Sequence, residues 1–220
     1  MRSVDLPGTH TDVNPGAARA RWWMVVVIAV CLVTAASREV GSQGSPGAIE
    51  SGRLLVATEE LRDPRFFHTV IYLLRHDATG TIGLVVNHPL ADVSMADLLR
   101  SVGVNRPGAA GQVRVYTGGP VDPPRGFVLH SADYTGPDTQ LVKDGLAFSV
   151  QSDILIAIAD GHGPRRWLFC LGYAGWAAGQ LEAEVQRGDW ITVEPDQSLL
   201  FDLPPERKWD QAISRRAIEL

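Results

Sequence analysis

The 220-residue chain has only two cysteines, Cys31 and Cys170. That excludes a disulfide-stapled scaffold and any zinc site built from cysteine alone. Basic excess is also missing: 20 Lys+Arg stand against 25 Asp+Glu, a formal net charge of −5. Residues 1–50 hold four charges of each sign, so the whole of the −5 falls on the remainder. Proteins that coat DNA or RNA carry a basic signature, and no helix-turn-helix pair stands out. Direct nucleic-acid contact is therefore not expected. A G-x-S-x-G nucleophile elbow is lacking, as is a pair of histidines four residues apart. Thr117–Pro120 lacks the Gly-Lys-Ser/Thr end of a phosphate loop, and Gly161-His162-Gly163 precedes a strand where a dinucleotide fingerprint would follow one. No metal and no cofactor is expected. Internal repeats and heptads are absent as well. What is present is an ordinary globular composition, 45% hydrophobic and 20% charged, enough to build a core.

Residues 1–50 differ from the rest. Met1–Ala20 has no apolar period and reads as disordered. Residues 22–36 then run uncharged for 15 positions, about 22 Å as a helix, against a hydrocarbon core of about 30 Å. Arg19 and Arg21 precede the run and Thr34–Ser37 follow it with small side chains, the pattern of an export signal. Three readings stay open: a cleaved signal, a membrane anchor, or a translation start assigned too far upstream. Gly41–Gly47 reads as a Gly/Ser linker.

Residues 51–220 read as one folded domain. Arg53–Thr58 is a short apolar strand. Thr69–Arg75 and Thr81–Val86, rich in β-branched residues and separated by Asp77–Gly80, predict an antiparallel hairpin. Ser94–Val102 predicts a helix capped by Ser94. Gln112–Tyr116, Phe127–His130, Arg166–Leu171 and Asp189–Val193 predict strands, with a Gly/Pro-rich loop over Gly118–Gly126. Ser152–Ala159, capped by Ser152, and Ala178–Arg187, ended by Gly188, predict helices, as does Pro204–Ile218. Hairpins outnumber regular βαβ units, so the fold class expected is α+β.

Four segments, in this order and spacing, carry a family resemblance: Gly52–Thr58 with Leu61–Phe66; Gly83–Leu90; Gly118–Val121 with Gly126–His130; and Leu171–Glu182, which reads LGYAGWAAGQLE. Together they resemble the AlgH/YqgE family of bacterial proteins over about Gly52–Leu220. The resemblance implies a single α+β domain whose bent, largely antiparallel sheet partly closes into a small barrel surrounded by helices. It implies a cytoplasmic, regulatory protein of undefined biochemical activity. Residues 1–50 depart from that pattern and keep export or membrane anchoring through residues 22–36 open as the alternative.

Candidate site residues come from two places. In Gly172, Tyr173, Gly175, Trp176, Gln180 and Glu182, a strand passes through glycines toward a helix start, where backbone N–H groups can hold an anion. Gly175 would let a ligand approach, Trp176 would form a wall and Gln180 a polar handle. Gln180 and Glu184 share a helix face while Glu182 points elsewhere. The competing reading is that the glycines serve tight packing and the acidic residues meet the helix dipole. The second group, His76, Asn87 and His130, sits at strand ends, where imidazole is suited to general-base work. The resemblance matches all three; for each, a structural hydrogen bond is the plainer reading. Asn87, His130 and the start of the Gln180 helix are expected around one concavity. Ser131 beside His130 points to the opposite strand face, and Cys170 in an apolar run reads as a buried, inert thiol. The function expected is a non-enzymatic regulatory or binding module for an unknown protein or small metabolite. The alternative is an enzyme of unknown reaction built on a His/Asn/Gln pocket.

Overall fold

The computed structural model describes residues 48–215. The expectations for the N-terminal stretch, including the apolar run 22–36, lie outside the described residues, as does the end of the expected terminal helix. The described chain runs through β1 (Leu54–Ala57), β2 (Val70–Asp77), β3 (Gly80–Val85), β4 (Pro89–Ser94), α1 (Met95–Ser101), β5 (Gln112–Thr117) and β6 (Val121–Ser131). It continues through β7 (Gln140–Leu141), β8 (Leu146–Ser149), α2 (Ser152–Ala159), β9 (Trp167–Ala177), α3 (Gln180–Gln186), β10 (Trp190–Val193) and α4 (Pro205–Arg215). This is the α+β class that the hairpin content predicts.

The strands form one curled half-barrel in the order β10-β1-β2-β3-β9-β6-β8-β7, with β5 joining β9 and β4 joining β5. Every pairing is antiparallel except β5 with β9. The sheet is covered on both sides. Alternate residues of β1 and β2 divide between two clusters: Leu54, Val56, Val70 and Tyr72 on one face, Leu55, Ala57, Ile71 and Leu73 on the other. That is why β1 is buried at all four positions and reads as an unbroken apolar run. A π-helical turn at Ser198–Asp202 and helix α4 close the first face through Leu199, Leu200 and Ala212. Leu181 of α3 helps close the second, and α1 with α2 builds a third cluster around Phe169.

β9 is the pivot. Its first half lies between β5 and β6, and its second half pairs with β3, with Thr81 opposite Trp176 and Ile82 opposite Gly175. Where it changes partners the backbones nearly touch. A Cβ on Gly118 would sit 2.3 Å from the Gly172 carbonyl oxygen, and one on Gly172 would sit 2.5 Å from that of Gly119. Side chains cannot occupy that crossing, so these glycines are required by packing.

Three local expectations need correction. The Gly/Pro-rich loop over Gly118–Gly126 is in part the exposed start of β6: Val121 pairs with Tyr173, then the register shifts until Gly126. Pro123 and Pro124 donate nothing there, which an edge tolerates. Residues 172–177 belong to β9, so only Ala178 and Gly179, the left-handed N-cap, lead into α3. Helix α2 starts after Gln151 without a side-chain cap from Ser152. Asp138, from the loop before β7, accepts from Val150 N at 2.6 Å and Gln151 N at 2.7 Å. By contrast Ser94 caps α1 as expected, accepting from Asp97 N at 3.0 Å.

Candidate functional site

A cleft of about 1170 Å³ opens where β9, α3 and β10 face the Glu59–Phe66 segment. Its back wall is Gly175, Trp176, Gln180, Glu184 and Trp190, and Leu61 and Phe66 line the opposite side. Strand alternation puts Trp176 inward with Ala174, leaving Gly175 exposed between them. The atoms nearest a Cβ on Gly175 would be the Tyr173 ring, at 3.3 Å, and the Val121 side chain, at 3.8 Å. Unlike Gly172, Gly175 is not held by a backbone crossing.

Glu184 is the best-anchored polar group in that wall. Its Oε2 accepts from the indole N–H of Trp176 at 2.8 Å and of Trp190 at 2.9 Å. Its Oε1 accepts from Gln180 Nε2 at 2.9 Å, the same-face pair expected from four-residue spacing. Gln180 is itself held, since its Oε1 accepts from Ala177 N at 3.1 Å. The two indoles meet edge to face at 6.0 Å, and Phe66 stands edge-on to Trp190 at 5.7 Å. Buried indole N–H groups need acceptors, and one carboxylate serves both.

The other sequence candidates lie elsewhere. Half-buried His76 and exposed Glu182 form their own pair: His76 Nε2 stands 3.7 Å from Glu182 Oε1, and Nδ1 lies 2.8 Å from Thr81 Oγ1. Asn87 is buried and structural. Its Oδ1 accepts from Val70 N at 2.9 Å and its Nδ2 donates to the His68 carbonyl at 2.8 Å, tying the end of β3 to the start of β2. His130 is fully buried. Its Nδ1 donates to the Ser131 carbonyl at 2.9 Å, which leaves Nε2 to accept from Ser149 Oγ at 3.2 Å. Burial pushes its pKa below the usual imidazole value, against the opposing pull of the Ser131 carbonyl. Tyr173 packs edge-on to Phe127 at 5.9 Å. Asn87 and His130 thus do not border the cleft that Gly175, Trp176 and Gln180 line. Strand ends that look adjacent in sequence logic turned inward here.

The half-barrel interior also holds titratable groups. Cys170 is fully buried, and burial pushes its thiol up to about 12. Lys208 is fully buried; its Nζ donates to the Val86 carbonyl at 2.9 Å and the Leu200 carbonyl at 2.6 Å and lies over the Tyr116 ring. Burial lowers its pKa to about 8. It fastens α4 and the π-helical turn to β3. Among the described residues no group of three or more His, Cys, Asp or Glu is placed to hold a metal, and no helix is long and apolar enough to cross a membrane.

Sequence reasoning put Glu184 on the Gln180 face without counting it among the site residues, and missed Trp190 and the Glu59–Phe66 side of the cleft. The available signal was a glutamate placed between two strand tryptophans whose N–H groups would need an acceptor.

Comparison with known proteins agrees with this architecture. The model of the AlgH-like family matches residues 54–220. A UPF0301 protein of Sphingopyxis alaskensis is 43% identical over 77% of this chain and 90% of its own length. One from a Jannaschia species is 44% identical over 74% of this chain and 86% of its own. The solution structure of the AlgH protein from Pseudomonas aeruginosa superposes with a TM-score of 0.66 at 41% identity, covering 75% of this chain and 87% of that one. A crystal structure from Corynebacterium diphtheriae, at 20% identity and a TM-score of 0.60, shares the fold. The chain belongs to the AlgH-like family.

Proposed function

We propose that this protein is a non-enzymatic, regulatory binding module whose ligand, a small metabolite or a segment of a partner protein, seats in the cleft along β9 and α3. One observation carries the reading: Gly175, Trp176 and Gln180 meet in a single wall of the cleft, where Glu184 is held by three hydrogen bonds. A pre-formed concave site with a few oriented polar groups is the usual architecture of ligand recognition. The enzymatic alternative needs a polar cluster drawn from His76, Asn87, His130 and Gln180. Instead His130 and Asn87 spend their polar atoms on the fold. We also propose that the domain works in the cytoplasm without touching nucleic acid, with membrane contact confined to residues 22–36; this part rests on the family resemblance and the charge balance.

The test is native mass spectrometry of the full-length protein purified from its own host, compared with its denatured mass. A stoichiometric small molecule or protein segment lost on denaturation is the expected result. A protein recovered without any companion, together with turnover of a substrate at His130, would overturn the reading.

A further inference from the structure

The charge and acceptor sites of the cleft determine what kind of ligand it suits. A carboxylate offers about four lone-pair directions. On Glu184, Oε2 receives two indole N–H groups and Oε1 receives one amide N–H, so one direction on Oε1 remains open. All three donors are neutral. No Lys, Arg or His among the described residues forms an ion pair with Glu184, so its charge is held in place but not neutralised.

The surroundings do not correct this. The cleft is lined by five carboxylates and three guanidinium groups. Arg65 is taken by Asp63 at 2.6 Å and Arg187 by Asp189 at 2.7 Å. That leaves Glu59, Glu60 and Glu184 facing Arg62, a balance of two negative charges. A fixed carboxylate in a concave, partly apolar setting binds a charged N–H donor more strongly than a neutral one.

We infer that the cleft takes an organic cation, an alkylguanidinium or alkylammonium group, with its N–H directed at Oε1 of Glu184. This rests on the cleft being the ligand site. Trp176 and Trp190 sit beside the cation and report its arrival through their own N–H groups.

The test follows the indole N–H resonances of Trp176 and Trp190 in the full-length protein. The probes are butylguanidinium chloride, its neutral isostere butylurea, and inorganic phosphate, at matched ionic strength. Butylguanidinium is expected to shift both resonances saturably, with a midpoint at least about 10-fold below that of butylurea. Glu184→Gln, which keeps an acceptor for the indoles, is expected to erase that preference. The wild-type comparison decides the matter even where the variant does not fold. Equal response to butylurea, or a stronger one to phosphate, would overturn the cation preference and leave the cleft as a binding site. No response to any of the three would overturn both.

Discussion

The cleft wall and the half-barrel interior both carry residues of chemical interest, and they use them in opposite ways. Inside, Lys208, His130 and Asn87 direct their polar atoms at the fold's own backbone and hydroxyl groups. At the cleft, Glu184 is oriented by three donors yet keeps an open acceptor direction and an unneutralised charge. Buried polar groups must be satisfied or the fold pays a desolvation penalty. A group that is oriented, charged and still incomplete at the edge of a cavity is where binding capacity resides. Residue type alone does not separate the two regions; the partners of each atom do.

The largest expected effect probes the interior. Lys208→Ala removes the donor to two buried carbonyls and leaves a cavity under α4, so it is expected to cost about 3–5 kcal/mol. Chemical denaturation measures this. A loss below about 1 kcal/mol would mean that Lys208 does not fasten the helix.

A smaller effect appears on acidification. Burial lowers the pKa of both His130 and half-buried His88, which follows Asn87 and whose Nε2 lies 3.3 Å from Thr69 Oγ1. Below the unfolded-state value of about 6.5, the unfolded chain takes up protons that the folded chain refuses. Stability should therefore fall as pH drops from 6.5 toward 5, with a shallower slope in His130→Gln. The depressed carboxylates, such as Asp133 at about 2, lose their contribution only at lower pH, where aspartates ordinarily titrate. A flat profile between pH 6.5 and 5 would contradict the enclosed, neutral state of these imidazoles.

The smallest effect belongs to the surface pair of half-buried His76 and exposed Glu182. Glu182→Ala should change stability by less than about 1 kcal/mol and leave the cleft unaltered, because contacts of an exposed carboxylate at 3.7 Å contribute little. Thermal denaturation with the indole resonances as a second readout checks both statements.

Much of this division could be read from the chain. The β2–β3 hairpin was legible because β-branched runs flank a short turn, and α1 because Ser94 precedes an apolar helical period. The start of β6 was not, since Pro123 and Pro124 signal a loop while an edge strand tolerates them. β8 is only four residues long and follows a turn, which leaves no period to detect. At the site, the shared face of Gln180 and Glu184 was visible from spacing. The clamp itself joins Trp176 and Trp190 from two strands that are brought together only by the fold. The strand-end histidine and asparagine misled for the converse reason: spacing shows where a strand stops, not whether its last side chain faces in or out.

One measurement sets the two regions against each other directly. Gly175→Trp and His130→Ala proteins, each purified from the native host, are compared with wild type by native mass spectrometry and thermal denaturation. Gly175→Trp should fold yet emerge without the ligand, and His130→Ala should be less stable yet retain it. A folded His130→Ala protein that loses the ligand while Gly175→Trp keeps it would contradict the assignment of binding to the cleft.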